Sequence, residues 1–312
     1  MLWILFSALG SAANAGYFIA VKRLLATTDR NVLAAGSFFI TGIFLLLLAL
    51  VRGIPPLGNE LVIAVIGTSV LNIIATTLVY RALPATDISL AVPMISFTPV
   101  FLIVSSFLIL GEIPTLLGIA GICVIVTGSY LLNLSQTHTS LADPFRAILR
   151  NRGSISMLAV AFIYSISLNF DKMVVLNSDP VFGSALVCLV LGLSFFIIRQ
   201  VSVMHRDTGQ AGFTDTVHQR LAAQAKRKGI MGPYIAGAPA FTGIGIMLTI
   251  EMITINYAFT LQIVPYVIAI KRMSIILMVF YGTIIAHEGE VIRRLAGAGF
   301  MVAGAILIIL SG

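Results

Sequence analysis

The sequence predicts an all-α polytopic membrane protein with ten transmembrane helices in two inverted five-helix repeats. Its composition indicates the class, because 59% of the 312 residues are hydrophobic and only 10% are charged, whereas soluble domains carry about a quarter charged residues. Apolar runs of about 20 residues, the length that crosses the hydrocarbon core as a helix, follow one another along the chain. A similarity between the two halves of the chain predicts the repeats.

Ten apolar runs, separated by polar, glycine or proline residues, are the candidate membrane spans. They cover residues 2–21, 32–51, 61–82, 87–110, 115–134, 155–174, 181–199, 234–259, 263–285 and 295–311. The first run resembles a signal peptide, since Ala13-Asn14-Ala15 has the small-x-small form of a cleavage site. No positive charge precedes this run, however, and Lys22 and Arg23 follow it, so we predict a retained first helix.

The two halves align when one is shifted along the other. A shift of 150 positions places Lys22 on Lys172 and Asp29 on Asp179, and a shift of 176 places Glu112 and several glycines on their counterparts. We predict a first repeat at 1–134, a linker at 135–153, and a second repeat at 154–312 with a basic loop at 200–232. Because each half has an odd number of spans, the second enters the membrane inverted, which is the plan of secondary transporters.

The basic residues predict the orientation in the membrane. Most of the 19 lysines and arginines lie in or beside the odd-numbered connections. The positive-inside rule then places these connections in the cytoplasm and both termini outside, in a multi-pass protein of the cell membrane. Loops that face anionic lipid explain the net charge of +7. The predicted partners are therefore the bilayer and a small-molecule substrate, not a nucleic acid, and the oligomeric state is left open.

Two adjacent cations, Lys271 and Arg272, interrupt the ninth apolar run. A charge at the bilayer centre costs about 2.5 to 3.5 kcal/mol on insertion scales unless it faces water, a counter-ion or a ligand. The available counter-ion is Glu251 in the eighth span, and one carboxylate cannot neutralise two cations. We therefore predict an anionic ligand, although an internal bridge that only fastens the eighth helix to the ninth remains an open alternative. The first half has Ile95 and Ser96 at the corresponding positions, which favours a specialised site.

Further binding candidates are polar or basic side chains in the spans, where snorkelling or helix packing is the alternative role. These candidates are Tyr257, Lys22, Lys172, Asn14, Tyr17 and Asn169.

Two segments carry a family resemblance. "GEIPTLLGIAGICVIVTGSYLL" at 111–132 and "HEGEVIRRLAGAGFMVAGAILII" at 287–309 resemble the EamA-type repeat of the drug/metabolite transporter superfamily, with a Glu at a helix end followed by glycine-rich helices. The resemblance implies ten helices, inverted halves and transport of a small metabolite. The chain is also similar to the triose-phosphate and sugar-phosphate translocators, whose ninth helix binds phosphate with a Lys-Arg pair. Lys271, Arg272, Lys22 and Lys172 occupy matching places.

Three functions are compatible with these patterns to different degrees. The first is a secondary transporter that moves a small anionic or zwitterionic metabolite, such as a phosphorylated or carboxylated compound. The second is an exporter of amino acids or cationic drugs that uses Glu251. The third, a membrane-embedded lipid-modifying enzyme, needs clustered acids or an activated nucleophile, and the apolar runs contain neither pattern. We therefore predict a transporter with no catalytic residues, and with neither metal nor cofactor.

Overall fold

The computed structural model describes residues 1–85, 94–132, 152–207, 231–286 and 291–311, and every regular element in these ranges is a helix. The helices are α1 Leu2–Leu25, α2 Arg30–Arg52, α3 Leu61–Ala85, α4 Thr98–Leu110, α5 Leu116–Leu132, α6 Arg152–Leu176, α7 Phe182–Asp207, α8 Gly232–Leu261, α9 Val264–Lys271, α10 Ser274–Ala286 and α11 Val291–Ser311.

The helices have the length and the surface of a membrane protein. Six of them (α1, α2, α3, α6, α7 and α8) contain a stretch long and apolar enough to cross a bilayer, and α4, α5 and α11 contain shorter apolar stretches. Large apolar side chains such as Leu47, Val62 and Leu108 are exposed on the outside of the bundle, as expected where lipid replaces water. The predicted class, an all-α multi-pass membrane protein, is thereby confirmed.

The ninth apolar run was predicted as one helix, and this is wrong. It forms two helices, because α9 ends at Lys271 and α10 begins at Ser274. Between them the backbone tightens: the Met273 amide donates to Ile270 O at 2.9 Å and the Ile275 amide to Arg272 O at 3.0 Å. Hydrogen bonds of this 3₁₀ type, from the amide of residue i+3 to the carbonyl of residue i, often mark a functional hinge when they interrupt a helix. The two cations therefore lie at a helix break, not inside a continuous helix.

The start of α4 reproduces this break in the first half. A turn at 96–97 precedes Thr98, and Thr98 and Ser274, where α4 and α10 begin, are separated by the 176 positions of the sequence shift. The start of the fourth predicted span, residues 87–93, lies outside the described residues.

Matching capping residues begin α2 and α7. Asp29 accepts hydrogen bonds from the amides of Asn31 at 2.9 Å and Val32 at 3.2 Å. Asp179 does the same for Val181 at 2.7 Å and Phe182 at 2.6 Å. A carboxylate in this position satisfies amides that the first helical turn leaves unpaired. The aligned aspartates of the two halves thus perform the same local task.

The main helix contacts join the two halves. The packed pairs are α2 with α7, α3 with α6, α1 with α8, and α5 with α11. The predicted repeat makes α1 the counterpart of α6, α2 of α7, α3 of α8 and α5 of α11. If each helix is replaced by its counterpart, the α1–α8 pair becomes the α6–α3 pair, and the other two pairs stay the same. In the α5–α11 pair, a Cβ atom added to Gly304 would lie 2.6 Å from the Gly121 carbonyl oxygen, so both positions require glycine for this close approach.

The domain boundaries stay a prediction. The linker predicted at 135–153 lies outside the described residues except for 152–153, which begin α6. The first residues of the basic loop predicted at 200–232 are helical, because α7 continues to Asp207, and residues 208–230 lie outside the described ranges.

Helix α9 delivers the two cations to the interior. Pro265 occupies its first turn. Backbone amides there have no acceptor within the helix, so the missing amide hydrogen of proline breaks no hydrogen bond. Its side chains from Val264 to Ile270 are all buried, against α1 and α4 among other helices. A fully apolar, buried helix is a rigid support for the charged residues at its end.

Candidate functional site

Lys271 at the end of α9 pairs with Glu251 in the middle of α8. The Lys271 Nζ lies 2.6 Å from Glu251 Oε1, and the two side chains are 14% and 6% exposed. The same oxygen accepts a hydrogen bond of 3.0 Å from Asn14 Nδ2 on α1. One carboxylate oxygen thus joins three helices, one from the first half and two from the second.

The remaining polar atoms of this cluster have no protein partner. Glu251 Oε2 and Asn14 Oδ1 are buried and accept no hydrogen bond within the described part of the chain. Buried polar atoms of native proteins are nearly always hydrogen-bonded to protein, water or ligand. The two atoms are acceptors, so their missing partner is a donor.

Arg272 caps α9 and turns toward α4. It is 7% exposed, and its Nη2 donates to Thr98 Oγ1 at 2.9 Å. Its Nε is buried without a hydrogen-bond partner. Arg272 takes part in no ion pair with any described carboxylate. A buried guanidinium held by a neutral hydroxyl keeps its positive charge available to an anion.

Three tyrosines from three helices interact with one another, and two of them, Tyr17 and Tyr164, also interact with these charges. Tyr17 on α1 and Tyr80 on α3 place their hydroxyl oxygens 2.8 Å apart, and Tyr17 interacts electrostatically with Glu251. Tyr164 on α6 lies within electrostatic range of both Glu251 and Arg272. The sequence reasoning identified Tyr17 but missed Tyr80 and Tyr164. Both carry the same signal as Tyr17, a phenol inside an apolar run.

A second acid, Asp171 on α6, was also missed. It is half-buried and accepts a hydrogen bond of 2.5 Å from Thr68 Oγ1, in a network that includes Asn72 and Ser167. Asp171 interacts electrostatically with Lys271. Glu251 is thus the ion-pair partner of Lys271, as predicted, and Asp171 is a second acid whose charge acts on the same lysine. In the described ranges Asp171 forms no ion pair.

Lys172 lies apart from the central cluster. Its Nζ is 2.5 Å from Glu112 Oε1 and 2.9 Å from the Gln262 carbonyl oxygen, while Glu112 Oε2 accepts the Val264 amide at 2.8 Å. This clamp fastens α6 to the α4–α5 turn and to the α8–α9 turn. The structure thus gives Lys172 a partner at the helix ends.

Asn169 makes contacts between helices. Its Nδ2 donates to Ser105 Oγ at 3.1 Å and to the Ser165 carbonyl oxygen at 2.7 Å, and its Oδ1 accepts from Ser106 Oγ at 2.7 Å. Its amide nitrogen and its amide oxygen are therefore both occupied by protein partners, which fasten α6 to α4.

The remaining two candidates lie near helix ends. Tyr257 accepts a hydrogen bond of 2.7 Å from Arg52 Nη1 and stacks on Phe6. Lys22 is half-buried, three residues before the end of α1. Of the predicted residues, the structure thus brings together Lys271, Arg272, Glu251, Asn14 and Tyr17.

The cluster is suited to binding a ligand. The described residues contain no group of three or more His, Cys, Asp or Glu that could hold a metal ion. The cluster instead offers an unpaired guanidinium, a paired ammonium, two free acceptors and several phenols. Groups of these kinds are the ones that small polar ligands bind in other proteins.

Comparison with known proteins gives a match over the first half. Residues 1–134 match the model of the EamA-like transporter family. No curated protein matches the chain. One similar crystal structure aligns over 98% of this chain and 99% of its own, with a TM-score of 0.65 and 15% identity. At this identity the likeness concerns the fold alone, and it extends over nearly the whole length of both chains.

Proposed function

Because residues 1–134 match the EamA-like transporter family, we propose that this chain is a secondary transporter of a small anionic or zwitterionic metabolite, such as a phosphorylated or carboxylated compound. The family match confirms the resemblance inferred from residues 111–132 and assigns the protein to membrane transporters. The proposal adds the class of cargo and the mechanism, which is alternating access between two inverted halves in the cell membrane, with both termini outside.

The observation that carries the proposal is the state of Arg272. Lys271 is neutralised by Glu251. Among the described side chains, in contrast, only the neutral Thr98 hydroxyl forms a hydrogen bond with Arg272. A buried charge without a counter-charge is strongly disfavoured. An anionic group that binds the guanidinium removes this penalty. The charge distribution of the protein therefore favours the binding of an anion.

The helix pairing supports alternating access. Since the α1–α8 and α3–α6 contacts exchange when the halves are exchanged, the same chain can form two related arrangements about one central site. Broken helices near such a site are typical of inverted-repeat transporters, and α9 and α10 form a break at Arg272.

A purely cationic cargo, the alternative that relies on Glu251, is less favoured. The Glu251 carboxylate already binds the Lys271 ammonium at 2.6 Å. A cation without an anionic group adds a third positive charge next to Lys271 and Arg272, so the three repel one another in a poorly screened interior. The paired state of Glu251 therefore favours a cargo that brings negative charge.

Uptake into proteoliposomes tests the proposal. The purified chain is reconstituted, and uptake of labelled sugar phosphates, carboxylates, amino acids and cationic drugs is compared between the wild type and Arg272→Gln. Arg199→Gln is the matched control, because Arg199 is also 7% exposed and stacks on Tyr234 at the α7–α8 contact. The control removes a buried guanidinium that none of the described contacts connects to the site.

We expect an anionic or zwitterionic compound to be taken up, with a loss of about tenfold or more in Arg272→Gln and little change in Arg199→Gln, since a hydrogen bond to a charged group contributes about 1.5 to 3 kcal/mol. Uptake of cationic drugs alone would overturn the proposal, as would equal loss in both variants.

A further inference from the structure

We infer that the cargo carries an ammonium group close to its anionic group, and that Glu251 and Asn14 bind this ammonium. The inference rests on the proposed function and narrows the cargo to an amino-bearing acid, either a carboxylate or a phosphate.

The first step concerns the two unpartnered acceptors. Glu251 is 4% exposed and Asn14 is 5% exposed, and neither Glu251 Oε2 nor Asn14 Oδ1 accepts a hydrogen bond from any residue that the structure describes. A hydrogen bond of 3.0 Å from Asn14 Nδ2 to Glu251 Oε1 joins the two side chains, so the two free acceptors belong to one connected pair. Leaving such atoms unsatisfied destabilises a protein, and more so for a charged group.

The second step concerns the unpartnered donors on the other side of Lys271. Arg272 Nε is buried and has no hydrogen-bond partner among the described residues, and the same holds for the hydroxyl of Ser274. Ser274 is 1% exposed and begins α10. The cluster therefore holds free acceptors beside Lys271 on α8 and α1, and free donors at the α9–α10 break. A ligand with an anionic group alone satisfies only the donors.

The other buried ion pair of the described residues differs from this one in its second carboxylate oxygen. Glu112 pairs with Lys172 at 2.5 Å, as Glu251 does with Lys271, but its second oxygen accepts the Val264 amide at 2.8 Å. A purely structural ion pair in this protein thus uses both carboxylate oxygens. Glu251 leaves one oxygen free in the centre of the molecule, which points to a ligand.

The third step concerns the kind of donor. Glu251 is a carboxylate, and a charge-assisted hydrogen bond from an ammonium is roughly twice as strong as a neutral one. Lys271 occupies Oε1 only, so an ammonium reaches Oε2 without breaking the ion pair. The anionic group of the same molecule then offsets the charge that the ammonium adds, which a simple amine cannot do.

Two matched ligand series test the inference in proteoliposomes of the full chain. In the carboxylate series, alanine, lactate and propionate differ only in an ammonium, a hydroxyl or a hydrogen at one carbon. In the phosphate series, phosphoethanolamine, 2-hydroxyethyl phosphate and ethyl phosphate differ in the same way. Uptake of each compound is measured, and the series that is transported identifies the anionic group.

We expect the ammonium compound of the transported series to exceed the unsubstituted one by about tenfold or more. Equal uptake of the two would overturn the inference and leave the proposed function intact. No uptake in either series would also overturn the inference, whereas the proposed function is decided by the uptake of sugar phosphates and other anions described above. Glu251→Gln should reduce the ratio to about twofold or less, and Glu112→Gln, which changes the outer ion pair, should keep it. A ratio that falls equally in both variants would also contradict the inference.

Discussion

Lys271 Nζ and Glu251 Oε1 form an ion pair of 2.6 Å that joins the end of α9 to the middle of α8. The pair lies beside the break between α9 and α10, and it places one neutralised cation next to Arg272, which lacks an acidic partner among the described residues. The difference between these two neighbours is the physical basis of the proposed binding site.

Removing one partner of this pair should destabilise the protein more than removing both. Glu251→Leu leaves the Lys271 ammonium buried and unpaired, which costs about 3 to 5 kcal/mol. The double variant Glu251→Leu with Lys271→Met removes both charges and should recover most of the loss. Thermal unfolding in detergent measures the stability of the wild type, the single variant and the double variant. A double variant less stable than the single one would contradict the pairing.

Neutralising Asp171 should strengthen the binding of an anionic ligand. Asp171→Asn keeps the size of the side chain and removes a negative charge that acts on Lys271. We expect a severalfold tighter dissociation constant for the transported compound, measured by isothermal titration. Asp179→Asn is the control, because an Asn still caps α7 and, within the described part of the chain, the hydrogen bonds of the Asp179 side chain go to the start of its own helix. Weaker binding in Asp171→Asn would show that Asp171 itself binds the ligand.

Lys172 should affect stability and not ligand affinity. Lys172→Gln breaks the ion pair with Glu112 and weakens the clamp between α6 and the two turns. We expect a lower melting temperature and a dissociation constant within about twofold of the wild type. Lys271→Gln is the comparison, and it should change the affinity. A tenfold affinity loss in Lys172→Gln would place that lysine in the site.

The close contact of α5 with α11 should tolerate no side chain at Gly304. Gly304→Ala places a methyl group 2.6 Å from the Gly121 carbonyl oxygen, whereas a methyl at Gly299 on the same helix meets no atom within 4 Å. Overpacking of this kind costs about 1 to 3 kcal/mol. Thermal unfolding of the two variants should show the loss for Gly304→Ala alone, and equal stability of the two would contradict the packing.

The fold was largely predictable because membrane spans depend on local composition. The apolar runs gave the helices, and the aligned aspartates Asp29 and Asp179 marked the same helix start in each half. The break at 272–273 could not be predicted, since neither residue is a glycine or a proline. It coincides with contacts from Lys271 to Glu251 and from Arg272 to Thr98, which are distant in sequence.

The site was predictable where a charge stood alone in an apolar run. Lys271, Arg272 and Glu251 were found in this way. Asp171 was not found, because it lies directly before Lys172 in the chain. The sequence alone does not show that these two neighbours have different partners. In the structure Lys172 binds Glu112, about 60 positions away, and Asp171 is left in the field of Lys271. Only the tertiary packing distinguishes these partners.

Thiol labelling at position 272 tests the central claim most directly, namely that the Arg272 position borders a hydrated site that binds an anion. Arg272→Cys is made in a chain whose native cysteines, Cys123 and Cys188, are replaced by alanine, and a water-soluble, negatively charged methanethiosulfonate is applied to proteoliposomes. Because this variant lacks the guanidinium, the compound is added at more than about ten times the concentration that saturates the protein with Arg272 intact. The account predicts modification that slows at these concentrations. A thiol that stays unmodified from both sides of the membrane, or one that the compound does not protect, would contradict it.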